Sequence, residues 1–109
     1  MSQFKQARLE SVLKDEISKI IMRDIETHKA LVTITEIVIS KKNESAKIGI
    51  SIIPANKKNL VFNELKKNQG AIQRKLIKKI NIYFVPQIDF VIDEGLEHAS
   101  HIERLLKNK

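Results

Sequence analysis

The sequence predicts a two-layer α+β domain in which helices cover one face of a three-stranded mixed sheet. Three observations predict it. The periodicities run in the order helix, strand, strand, helix, broken helix, strand, with a short tail. The first two strands are separated by a short polar link, which makes an antiparallel hairpin. The helical stretch before the third strand is long enough for a crossover, so the sheet is mixed. With 109 residues, 42% of them hydrophobic, the chain reads as one domain (1–109) able to bury a core without staples.

Each element has its own signature. Leu9, Val12, Leu13, Ile17, Ile20 and Ile21 recur at three and four, so a helix is expected over about Gln3 to Glu26. Leu31 to Ser40 is β-branched almost throughout, as strands prefer. Its alternation slips at Glu36, the mark of a bulge. Lys41 to Ser45 is polar and turn-like. Lys47 to Ile53 then alternates, with Ile48, Ile50 and Ile52 on one face. Pro54 closes this strand, and Asn56 is the expected N-cap of the next helix. Val61, Leu65, Ile72, Leu76 and Ile80 share a helical face that lapses at Asn68-Gln69-Gly70, so a break is expected there, with Gly70 as a C-cap. The third strand is expected over Ile82 to Ile92, bent or at an edge because Pro86 cannot donate to a ladder. In the extension from Gly95 to Lys109, Ile102, Leu105 and Leu106 suit a small docking helix.

Charge is the second strong signal. The chain holds 20 Lys and Arg against 13 Asp and Glu, for a net charge of +7. From Lys57 to Ile80 eight cations (Lys57, Lys58, Lys66, Lys67, Arg74, Lys75, Lys78, Lys79) face the single anion Glu64, so this segment alone accounts for +7. Helix breaks bare N–H groups, N–H groups bind anions, and lysines attract them. These features predict a polyanion-binding surface, with Lys66, Lys67, Asn68, Gln69, Gly70, Arg74, Lys75, Lys78 and Lys79 as its candidate residues.

Other chemistry is poorly supported. There is no cysteine, which excludes thiolate catalysis and disulfides and suits a reducing cytoplasm. No apolar run approaches the length that spans a bilayer, and the first residues lack a signal-peptide core. No Gly-x-x-x-x-Gly-Lys or Gly-x-Ser-x-Gly pattern occurs. His98 and His101, with Glu94 and Glu97 near, lack a zinc-helix spacing and read as a solvated face. His28 reads as a turn residue, and Asp89, Asp93 and Glu94 as strand-end and turn residues rather than an acid–base pair. No metal or cofactor is expected. Phe84 and Phe90 share the apolar phase and are expected in the core, leaving Tyr83 as the exposed aromatic. Contact with RNA shape and backbone is therefore expected over reading of base sequence.

Nearly the whole chain resembles ribosome-binding factor A, a family of bacterial small-subunit maturation factors. The residues are Asn68-Gln69-Gly70, where that family has Ala-x-Gly between two kinked helices, and Val85-Pro86-Gln87-Ile88-Asp89-Phe90-Val91-Ile92-Asp93, close to its third-strand pattern. Ser40 and Ala46-Lys47 match its hairpin, and Arg8 an arginine near the start of its first helix. Tyr83 stands where the family has arginine, and Lys42 where it has an acidic residue. The resemblance implies a type II KH-like fold. It also implies a non-enzymatic, cytoplasmic factor that binds the small ribosomal subunit late in assembly, contacts its rRNA near the decoding region, aids rRNA processing and supports growth in the cold. It adds Arg8 and Lys47 to the candidate RNA-binding residues. A general RNA- or nucleoid-binding KH-like protein is the alternative. Monomer is the default.

Overall fold

A computed structural model describes residues 2–80, 82 and 84–94, with side chains from Ala7 onward. The elements are α1 (Ser2–Asp24), β1 (Leu31–Ile39), β2 (Ser45–Ile53), a 3-10 turn (Ala55–Lys57), α2 (Lys58–Lys67), α3 (Gln69–Lys79) and β3 (Gln87–Ile92). The sheet order is β1-β2-β3, with β1 antiparallel and β3 parallel to β2, so the mixed sheet has the expected topology. The expected tail helix lies outside the described residues.

The hairpin is built by local hydrogen bonds. Ser40 Oγ accepts from the N–H groups of Glu44 (3.0 Å) and Ser45 (3.1 Å), and Asn43 takes a φ of 60°. Asparagine tolerates this left-handed region because its short polar side chain can bond locally. The ladder pairs Ile34 with Ile50 and then Glu36 with Gly49, so the bulge expected from the slipped alternation is present.

The described α-helices lie on one face of the sheet. Leu13, Ile17 and Ile20 of α1, Val61 and Leu65 of α2, and Ile72 and Leu76 of α3 are fully or almost fully buried against Ile48, Ile50, Ile88 and Phe90. These are the residues whose spacing shares one face, which is why the core was legible. Lys47, Gly49, Asp89 and Val91 alternate to the opposite face.

Three local expectations fail. Asn56 sits inside the 3-10 turn, and α2 begins only after Lys57 with no side-chain cap. Gly70 is not a C-cap. Asn68 ends α2 with φ −99° and ψ 8°, and Gly70 is the second residue of α3. Strand β3 begins at Gln87 rather than Ile82, because Pro86 offers no N–H to start the ladder any earlier.

Candidate nucleic-acid interface

The break between α2 and α3 is a single residue. Asn68 N–H donates to the Glu64 carbonyl at 3.1 Å, and Ile72 N–H donates to the Asn68 carbonyl at 2.9 Å. Between these bonds lie the N–H groups of Gln69, Gly70 and Ala71, the opening turn of α3. The Asn68 side chain does not cap them. Its Nδ2 donates back to the Glu64 carbonyl at 2.8 Å.

Around α3 the residues fall into two faces. Ile72 and Leu76 point to the core, and Gly70, Arg74, Ile77 and Lys78 are exposed on the far side. The Arg74 guanidinium lies over Gly70, with Nη1 3.8 Å from where a Cβ would stand. Lys67 at the end of α2 and Lys79 at the end of α3 are exposed too. Among the described residues no carboxylate lies within ion-pairing distance of Lys67, Arg74, Lys78 or Lys79.

The other candidates are engaged elsewhere. Lys66 Nζ donates to Asp89 Oδ1 at 2.8 Å, and Lys47 Nζ to Asp89 Oδ2 at 2.6 Å. Burial pushes the Asp89 carboxyl up, but the two ammonium groups together outweigh it and hold it below the ordinary carboxylate value. Lys47 is only 11% exposed, so it serves the sheet before it serves any ligand. Lys75 donates to Asp24 on α1, and that hydrogen bond keeps the Asp24 carboxyl low. Lys58 pairs with Glu94 at 3.6 Å, and Lys57 donates to the His28 carbonyl. Gln69 also turns inward, with Oε1 accepting from Phe90 N–H at 3.0 Å. Arg8 lies on α1 about 24 Å along the axis from Asp24, which Lys75 of α3 bonds, so the fold does not bring it to the break.

Two residues escaped the pattern. Gln73 accepts from Ile88 N–H at 2.8 Å and donates to the Pro86 carbonyl at 3.0 Å. With Gln69 it seals the outer edge of β3. Hydrophobic periodicity is blind to such a polar staple. Phe84, expected in the core with Phe90, is 54% exposed, whereas Phe90 is 1% exposed. The parity that links them does not extend across Pro86, which precedes the first residue of the strand. Tyr83, the other aromatic considered, lies outside the described residues, as do His98 and His101. Among the described residues no cluster of three metal-ligating side chains exists, and no helix is long and apolar enough to cross a membrane.

A family model described as ribosome-binding factor A matches residues 5–106. A curated relative of that name from Caldanaerobacter subterraneus subsp. tengcongensis is 34% identical over 108 residues, covering 96% of this chain and 88% of its own. Another, from Halothermothrix orenii, is 31% identical over 109 residues, covering 98% and 89%. The solution NMR structure of a Thermotoga maritima protein assigned as a ribosome-binding factor A matches with a TM-score of 0.66 at 24% identity, covering 84% of this chain and 89% of that one. The crystal structure of ribosome-binding factor A from Thermus thermophilus matches with a TM-score of 0.64 at 17% identity, covering 79% and 93%. These structures share the fold, and the sequence match spans nearly every residue: the chain belongs to the ribosome-binding factor A family.

Proposed function

We propose that this protein is a non-enzymatic assembly factor that binds the small ribosomal subunit in the cytoplasm, as a monomer, and contacts its rRNA through the cations at the α2–α3 break. The curated relatives carry ribosome binding in their name. One observation supports the location above all: Lys67, Arg74, Lys78 and Lys79 are exposed around the opening turn of α3, with no acidic partner among the described residues. Cations beside backbone N–H groups suit phosphate, and phosphate contacts fix position without reading sequence. Lys66 and Lys75 border this strip while bound to Asp89 and Asp24. Lys47 and Arg8 fall outside it. Binding of this kind accompanies maturation of the small-subunit RNA.

Charge reversal tests the site. The triple substitution Lys67→Glu, Arg74→Glu and Lys78→Glu should abolish co-sedimentation with small subunits from a lysate. Helical circular dichroism should be unchanged, because all three side chains are exposed. Retained co-sedimentation would overturn the assignment.

A further inference from the structure

Phe84 is a large aromatic side chain left 54% exposed, and Ile82 and Ile77 are 42% and 52% exposed. The position of Phe84 is set by its tie to Pro86. That proline is buried and its carbonyl is bonded to Gln73 of α3 at 3.0 Å. Two residues of extended chain span at most about 7 Å, so Phe84 lies close to the Gln73 side of that helix. Ile77 is one turn along α3 from Gln73, rotated by about 40°, and Arg74 lies about 60° further round, with Lys78 beyond it. The surface therefore passes from aromatic ring through an exposed isoleucine to two exposed cations.

An apolar patch alone would fit many partners. One bordered by cations without acidic partners fits a polyanion that also offers flat apolar faces. Unpaired nucleotides do so. Duplex RNA supplies the phosphates but keeps its base faces stacked inside. We propose that Phe84 is a stacking platform for an unpaired nucleobase of the RNA whose phosphates meet Arg74 and Lys78. This rests on the RNA-binding reading above and narrows its ligand to a single-stranded segment.

The chain has no tryptophan, so Phe84→Trp introduces a lone indole reporter. Its fluorescence should be quenched saturably by a short oligoadenylate and not by duplex RNA of equal length. Phe84→Ala should weaken oligoadenylate binding by about tenfold. It should leave duplex binding and the far-UV circular dichroism unchanged, since the ring lies outside the buried core cluster. Equal affinity of Phe84→Ala and the parent chain for oligoadenylate would overturn the platform while leaving the cationic strip standing. So would quenching by whole small subunits but by neither oligoadenylate nor deproteinised subunit RNA, which would give this face to a protein. Failure of the parent chain to bind any RNA would overturn the underlying reading itself.

Discussion

Gly70 is a helical residue whose surroundings do not demand glycine. A methyl group there would meet only the Arg74 guanidinium, at an ordinary contact distance. A glycine within a helix costs about 0.5–1 kcal/mol relative to alanine. Gly70→Ala should therefore raise unfolding free energy by about that amount, read from the denaturant midpoint. If the polyanion approaches the bare backbone here, the same change should lower RNA affinity. A gain in stability with unchanged affinity would remove Gly70 from the interface. The sequence correctly marked this stretch as an interruption of the apolar stripe. It did not show which residue bends the chain. Asn68 does so because its carboxamide can bond back to the Glu64 carbonyl, an option glycine lacks.

At the level of elements, β3 is an edge strand two of whose outward N–H groups are satisfied by a helix. Gln69 and Gln73 stand one turn apart on α3 and serve Phe90 and Ile88, residues two apart on β3. An exposed edge invites pairing with other chains, and covering it is a known remedy. Gln73→Ala should cost about 1–2 kcal/mol and speed hydrogen exchange at the Ile88 amide. Gln69→Ala should do the same at Phe90. Unchanged exchange at both amides would contradict the seal. Strand identity was legible from alternation at Ile48, Ile50 and Ile52, and the bulge from the slip at Glu36. The late start of β3 and the glutamine seal were not, since both depend on what α3 sets beside the strand.

Over the whole molecule, charge clustered in sequence is partly dispersed in space. Of the cations between Lys57 and Ile80, Lys58, Lys66 and Lys75 meet Glu94, Asp89 and Asp24, which lie outside that segment. Adjacency along the chain cannot show such partners. The salt dependence of binding distinguishes the two pictures. Four phosphate contacts on single-stranded RNA give a slope of log affinity against log salt near about −3, and eight would give about −6. The structure leads us to expect the shallower slope in a fluorescence titration. The steeper one would mean that the acid-bound lysines let go of their carboxylates on binding.

The Gln73 carboxamide has a final consequence. Both of its polar atoms are committed where the chain turns from α3 into β3. The start of β3, just after Phe84, and the helix bearing Arg74 are thereby tied together before any ligand arrives. Ordering that would otherwise oppose association is completed during folding, so a guest meets a surface already in shape.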